Sequence, residues 1–187
     1  MGRRRLDTAM KVLMNSAEIR QVVDRIARDI VQKNKSISDI VLVGIRTRGV
    51  PLARRIGQAV AEAEGVNLPL GLLDINLYRD DFNRAGAQAE VRETRIPFAV
   101  EGKCVVLVDD VLYTGRTVRA ALDAIVDLGR PRRIELAVLI DRGGRELPIQ
   151  ADFVGKTVLT SALENISVHL EEIDGRDEAL LDEGDAA

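Results

Sequence analysis

Residues 104–128 read CVVLVDDVLYTGRTVRAALDAIVDL, and this stretch decides the fold. Cys104–Val108 is a short, continuous apolar run, typical of a β-strand that is buried on both faces. Two carboxylates, Asp109 and Asp110, follow at the predicted end of that strand. After a short turn, apolar residues recur at the spacing of an amphipathic helix: Val118, Ala121, Leu122 and Ile125. The stretch therefore predicts a strand–turn–helix unit with two acids at the turn.

The turn between this strand and this helix is suited to a phosphate group. The N–H groups of Thr114 to Thr117 lie at the predicted helix N-terminus, where unpaired donors and the helix dipole favour an anion. Gly115 lets the backbone approach a ligand closely. Asp109 and Asp110 are acceptors that suit two vicinal ribose hydroxyls. We therefore predict a site for a phosphorylated sugar, and it is not a Walker loop because no Gly-Lys-Ser/Thr follows.

Other segments repeat the strand–loop–helix pattern. Ile40–Val43 is a second buried strand, followed by the loop Gly44–Gly49 and by a helix whose first turn contains Pro51. Ile134–Ile140 is another strand, and 73–77 alternates as a half-buried strand does. Such units predict an α/β domain with a mainly parallel sheet, whose ligands bind beyond the carboxyl ends of the strands. The two loops should therefore share a crevice.

The first helix has clear start and face signals. Asn15 is its predicted N-cap, and Glu18 completes a capping box. Its buried stripe differs from a side that carries three basic residues: Arg20, Arg25 and Arg28.

Composition narrows the class of protein. The chain has 187 residues, is 46% hydrophobic and carries a formal net charge of −3, which suits a single domain spanning 1–187. Any nucleic-acid surface must therefore be a local basic patch. One cysteine and one histidine exclude a Cys/His metal cluster. With no secretory signal and no run near the ~20 apolar residues of a membrane span, we expect a cytoplasmic protein.

Four motifs, once placed in order, resemble those of one family. VVLVDDVLYTGRT resembles the phosphoribosyl-pyrophosphate (PRPP) motif of type I phosphoribosyltransferases, and its longer wording is similar to the PyrR branch, the pyrimidine operon regulators. VGIRTRG, LYRDD and DRGGRELP extend the likeness over about residues 14–172. The resemblance implies the type I fold, with a sheet flanked by helices. It also implies a flexible loop at about 79–95, a small hood with C-terminal strands at about 141–172, and a frayed tail at about 174–187.

The resemblance also implies site residues and a cofactor. Catalysis would rest on Asp109, Asp110, Arg48 and Arg79. PRPP or nucleotide would contact Thr47, Arg48, Arg92, Asp109, Asp110, Val111, Leu112, Tyr113, Thr114, Gly115, Arg116 and Thr117. The base would lie against Ile140, Asp141, Arg142, Lys156 and Val158. Mg²⁺ would be bound mainly through PRPP, with no protein ligand assigned.

Two activities follow from the resemblance. One is transfer of a phosphoribosyl group from PRPP to uracil, giving UMP, and the other is UMP-dependent binding of an mRNA leader that attenuates transcription. The RNA face would use Arg20, Arg25, Arg28, Arg145 and Lys156, and a homodimer or larger homo-oligomer is expected. Asp24, Arg28 and Gly144 depart from the family pattern. Asp24 argues against RNA binding, and Arg28 partly compensates for its charge. A nucleotide sensor with little catalysis, or a purine or orotate phosphoribosyltransferase, remains an alternative.

Overall fold

The computed structural model describes residues 10–76 and 94–182. Its elements, in chain order, are β1 (Met10–Asn15), α1 (Ser16–Lys33), a 3₁₀ turn (Ile37–Asp39), β2 (Ile40–Ile45), α2 (Gly49–Glu64), β3 (Leu70–Leu73), β4 (Cys104–Leu112), α3 (Arg116–Asp127), β5 (Arg133–Asp141), β6 (Phe153–Thr157), β7 (Asn165–His169), α4 (Glu171–Asp174) and β8 (Glu178–Asp182). None of the described helices is long and apolar enough to cross a membrane.

A five-stranded parallel sheet of order β3-β2-β4-β5-β6 forms the centre of the molecule. β4 is its middle strand, and the run Cys104–Val108 is fully buried, as predicted for a strand covered on both faces. One apolar cluster packs α1 and α2 on one face, and a second cluster packs α3 on the other face. The predicted α/β fold is confirmed.

The capping box of α1 is present as predicted. The side chain of Asn15 accepts from the backbone N–H of Glu18 at 3.0 Å, and the carboxylate of Glu18 accepts from the backbone N–H of Asn15 at 2.8 Å. The buried face then carries Ile19, Val23, Ile26, Ala27 and Ile30. The cap fixes where the helix starts, and the apolar stripe decides which side is buried.

A small antiparallel sheet of order β1-β8-β7 forms the hood. The prediction of a frayed tail from 174 is wrong for Glu178–Asp182, because this segment is the middle strand and buries Ala179, Leu180 and Leu181. β1, which the sequence analysis did not predict, pairs with it. Phe153–Thr157 was assigned to the hood, but it pairs in parallel with β5 and is the edge of the main sheet.

The strand predicted at 73–77 lies earlier in the chain. β3 is Leu70–Leu73 and pairs in parallel with β2, so that Leu70 lies beside Leu42. The next residue is Asp74, whose carboxylate accepts from the backbone N–H of Asn76 at 2.9 Å in a turn that follows the strand. The apolar alternation that motivated the prediction continues past this turn, and residue 77 lies outside the described part of the chain.

Candidate active site

The carboxyl ends of β2, β3 and β4 enclose a polar cavity of about 390 Å³. Its walls come from three separate loops: Arg46, Thr47 and Arg48 after β2, Asp74, Ile75 and Asn76 after β3, and Asp109, Asp110, Val111 and Thr117 from the β4–α3 region. The expectation that the two loops share a crevice is therefore confirmed. Parallel strands bring these loops together because all their carboxyl ends lie at one edge of the sheet.

Close backbone packing at Gly49 holds the loop after β2 beside β4. A Cβ atom at this position would overlap the carbonyl oxygen of Val108. Only glycine therefore lets the N-terminus of α2 approach β4 so closely. This contact brings Thr47 and Arg48 to the cavity that Asp109 also lines. The Arg46–Thr47 peptide of the same loop is cis.

The two acids of β4 differ in burial. Asp109 is 6% exposed, whereas Asp110 is half-buried. One carboxylate oxygen of Asp109 accepts from the backbone N–H of Asp110 at 2.9 Å. Burial, and then the nearby charge of Asp110, raise the pKa of Asp109 well above its usual range. The pair thus places one poorly solvated carboxyl group and one more accessible one in the same cavity.

The turn before α3 is held from outside by the segment after β5. Gly115 has φ of +90°, and a Cβ atom there would meet the side chains of Ile149 and Leu147. The backbone N–H groups of Glu146 and Leu147 donate to the carbonyl oxygen of Thr114 at 3.0 and 3.1 Å. Thr117, in the first turn of α3, lines the cavity. The turn predicted to bind phosphate is therefore fixed before any ligand arrives.

Two arginines after β5 hold the loops together. Arg145 donates to the carbonyl oxygens of Tyr113 at 2.9 Å and Ile149 at 2.9 Å. Arg142 is only 5% exposed, its guanidinium lies 4.0 Å from the ring centroid of Tyr113, and it donates to the Glu164 carbonyl at 2.6 Å. Both side chains hold parts of the chain in place. The resemblance implied base contact largely through backbone groups at Arg142, which the packing of its side chain leaves untested, and RNA contact through Arg145, whose donors are taken up by carbonyl groups.

The backbone around the predicted base site is compact. Ile140 lies beside Lys156 in the β5–β6 ladder, and the N–H of Val158 donates to the carbonyl of Asp141 at 2.9 Å. The Lys156 ammonium donates to the Leu13 carbonyl at 2.7 Å. These residues therefore lie together, at the side of β5 away from β2.

Three arginines of α1 were predicted to contact RNA, and two of them are exposed to solvent. Arg20 and Arg28 are exposed, with Asp24 between them at helical spacing. Arg25 instead donates to the carbonyls of Val154 and Gly155 at 3.0 and 2.7 Å, and it fastens α1 to β6.

Four residues of the cavity were not predicted from the sequence: Arg46, Asp74, Ile75 and Asn76. Arg46 adjoins the predicted pair in the same loop. Asp74 and Asn76 were hidden by the misplaced strand, and a correct end at Leu73 would have marked them as residues beyond a carboxyl end. Arg79 and Arg92 lie outside the described residues, as do most of 79–95. Thr94 and Arg95 pack back against Asp74 and Leu72.

Within 10–76 and 94–182, no three acidic, histidine or cysteine side chains form a group that could hold a metal ion. The carboxylate and side-chain amide oxygens in the cavity belong to Asp74, Asn76, Asp109 and Asp110. This donor set suits Mg²⁺, which prefers oxygen ligands and keeps several waters or substrate oxygens in its shell.

The chain belongs to the phosphoribosyl transferase domain family, which it matches over residues 11–173. Its fold is similar to hypoxanthine phosphoribosyltransferase of Trypanosoma cruzi (TM-score 0.69, 17% identity, 96% of this chain and 100% of the other). A Staphylococcus aureus hypoxanthine phosphoribosyltransferase gives a TM-score of 0.67 at 16% identity, covering 96% of both chains.

The chain is far more similar in sequence to proteins named PyrR than to the hypoxanthine phosphoribosyltransferases. It is 61% identical over 175 residues to the bifunctional protein PyrR of Thermus thermophilus, covering 94% of this chain and 97% of the relative. The PyrR of Chloroflexus aurantiacus is 59% identical over 176 residues, with coverage of 94% and 97%. The chain is therefore a member of the PyrR family.

Proposed function

We propose that the chain transfers the phosphoribosyl group of PRPP to uracil, giving UMP and pyrophosphate. The observation that carries this proposal is the convergence of Thr47, Asp109 and Thr117 on one cavity at the strand ends. Family membership at 61% identity supports uracil over a purine or orotate, since the hypoxanthine enzymes share only the fold at 16–17% identity.

In this proposal each loop binds one part of PRPP. The N–H groups of Thr114 to Thr117 and the N-terminus of α3 bind the 5′-phosphate. Asp109 and Asp110 accept hydrogen bonds from the 2′- and 3′-hydroxyls of the ribose. Thr47 and Arg48 bind the diphosphate, whose charge grows as the anomeric C–O bond breaks. Arg79, and Arg92 more weakly, are further proposed diphosphate ligands outside the described residues.

Asp74, Asn76, Asp109 and Asp110 line the cavity and would hold a Mg²⁺ ion through its water ligands, and the ion would neutralise charge on the departing diphosphate. The chain's own contribution is positional, because the tightly held turn before α3 fixes the sugar relative to the incoming base. Uracil would lie against the segments around Ile140–Arg142 and Lys156–Val158.

The second part of the proposal is regulation. UMP in the same site would favour binding of a pyrimidine-gene mRNA leader and so attenuate transcription. The exposed arginines Arg20 and Arg28 of α1 would contact RNA phosphates. This function implies a cytoplasmic protein. The proposed assembly is a homodimer or a larger homo-oligomer.

A single assay with two arms tests both parts. UMP formation from uracil and PRPP with Mg²⁺ tests the enzyme, with orotate and hypoxanthine as competing bases. Binding of a pyrimidine-gene leader RNA, measured with and without UMP, tests the regulator. Turnover with hypoxanthine in place of uracil would overturn the first part, and RNA binding that ignores UMP would overturn the second.

A further inference from the structure

Arg48 makes a two-pronged ion pair with the hood. Its Nε and Nη2 groups donate to the two carboxylate oxygens of Asp174 at 3.3 and 2.9 Å. The two residues are separated by 126 positions in sequence, and they join the loop after β2 to the segment between β7 and β8. Arg48 also lines the cavity at the carboxyl ends of the strands. Arg48 therefore lies between the cavity and the hood.

Asp174 is itself held in place. Its carboxylate accepts from the backbone N–H of Leu170 at 2.9 Å, and its own N–H donates to the carbonyl of Leu170 at 2.7 Å. The Leu170 hydrogen bond, together with Arg48, lowers the pKa of Asp174, so the carboxyl group is ionised at neutral pH. A fixed, charged carboxylate restricts the rotamers of the arginine that it binds.

The segment that carries Asp174 does not need Arg48 to stay attached. Arg55 of α2 pairs with Glu172 at 2.6 Å and with Asp177 at 2.8 Å. Asp177 also accepts from the N–H of Glu171 at 2.8 Å. These bonds already tie 171–177 to α2. The Asp174–Arg48 pair is thus not needed to hold this segment on α2. It differs from the Arg55 pairs because Arg48 lines the cavity.

We propose that Asp174 is a positioning residue for the reaction: it orients Arg48 for the diphosphate of PRPP. The carboxylate engages Nε and one Nη group, which fixes the plane of the guanidinium while its remaining N–H donors stay outside the pair. The entropy cost of ordering a long side chain is then met before PRPP binds. This inference rests on the proposed phosphoribosyl transfer and adds a hood residue to its diphosphate site.

Asp174→Asn tests the proposal with little change to the fold. The amide oxygen can still accept from the N–H of Leu170, but the charge and one acceptor for Arg48 are lost. We expect the KM for PRPP to rise about tenfold and kcat to fall, because Arg48 also meets the charge that grows on the diphosphate, while the KM for uracil stays within about twofold of the parent. Arg48→Lys, which keeps the charge but cannot form the two-pronged pair, should shift the same constant.

Glu172→Gln is the matched control, because it breaks an ion pair of the same segment without touching Arg48. An equal rise in the KM for PRPP in this control, an unchanged KM in Asp174→Asn, or tighter PRPP binding in Asp174→Asn would overturn the proposal. Calorimetric binding of PRPP and of pyrophosphate to each variant gives a readout that needs no turnover. If the parent protein binds PRPP without forming UMP, the proposed function fails, while weaker binding in Asp174→Asn still supports the positioning role.

Discussion

The backbone N–H of Asp110 donates to the carboxylate of Asp109 at 2.9 Å. These consecutive acids of β4 differ in burial, because Asp109 is buried and Asp110 is half-buried. A buried carboxylate beside a second negative charge is unfavourable in the free protein. Strain of this kind is commonly kept at sites where a ligand later satisfies the group. The ribose hydroxyls of PRPP would supply such donors.

Asp109→Asn should therefore stabilise the protein and abolish activity. Because the folded state raises the pKa of Asp109, the folded protein binds its proton more tightly than the unfolded chain does. The free energy of unfolding then falls as pH rises from the usual aspartate range toward the raised pKa. At about pH 7.5 the variant should melt about 2–4 °C higher, and the gain should shrink in acid. A lower melting temperature in the variant at neutral pH would contradict this reading.

Gly49→Ala should disrupt the cavity by pushing the N-terminus of α2 away from β4. The new methyl group would overlap the carbonyl of Val108, which is backbone in the central strand and cannot rotate away. We expect a loss of about 2–3 kcal/mol of stability and a large rise in the KM for PRPP. Denaturant unfolding and initial rates measure the two effects.

Gly57→Ala is the control for that substitution. Gly57 lies in the same helix, and its Cβ would meet only the end of the Leu42 side chain at 3.3 Å. Ala in a helix interior is favoured over Gly by about 0.5–1 kcal/mol, so this variant should be neutral or more stable and fully active. An equal loss of stability and an equal rise in the KM for PRPP in both variants would contradict the role assigned to the close packing of Gly49 on β4.

The α1 surface makes a prediction about RNA. The double variant Arg20→Gln/Arg28→Gln should weaken binding of a pyrimidine-gene leader and lower the slope of log affinity against log salt by about 1.5. Asp24→Asn should tighten binding, since a carboxylate between the arginines repels phosphate. Filter binding over a salt series measures both, and Arg119→Gln on α3, across the sheet from α1, is the control. An unchanged slope in the double variant would place the RNA elsewhere.

We expect Glu135 to contribute to the stability of the fold but not to PRPP binding. Its carboxylate is 3% exposed at the amino end of the sheet, opposite the cavity, and interacts with Lys33, Asn34, Cys104 and Arg133. Lys33 keeps its ion pair with Asp152, and Arg133 keeps its hydrogen bond to Asn34, so Glu135→Ala should cost about 1–2 kcal/mol and leave the KM for PRPP unchanged. The exposed Glu64→Gln is the matched control. A kinetic defect at full stability would be inconsistent with a purely structural group.

The fold and the shared crevice could be predicted because they depend on local signals. The apolar run at Cys104–Val108, the Asn15 capping box and the two strand–loop–helix units each specify their own element. Their meeting point follows from the geometry of parallel strands. The cavity residues in the loops after β2 and β4, apart from Arg46, were therefore predicted from the sequence.

What could not be predicted depends on contacts between distant segments. β8 looks like an acidic tail until β1 and β7 flank it and Leu181 is buried. Arg25, Arg142 and Arg145 look like free cations in sequence, but carbonyl groups far along the chain take up their donors. The pairing of Arg48 with Asp174 has no local signal at all.

The surroundings of Gly144, which we expected to depart from the family pattern, limit which residues fit there. It has φ of +69°, and a Cβ there would overlap the ring of Tyr113, which lies against Arg142. The ring therefore takes up space next to the turn that a larger residue would need. Sequence alone marked the position but not its neighbour.

The most direct test of the central claim is UMP formation from uracil, PRPP and Mg²⁺ by the parent protein and by an Asp109→Asn/Asp110→Asn double variant. The proposed site predicts robust turnover in the parent and its loss in a variant that still folds. Equal turnover in both proteins would contradict the assigned ribose contacts. Tight PRPP binding by the parent with no turnover on any base would contradict the enzyme and leave a nucleotide sensor on a phosphoribosyltransferase fold.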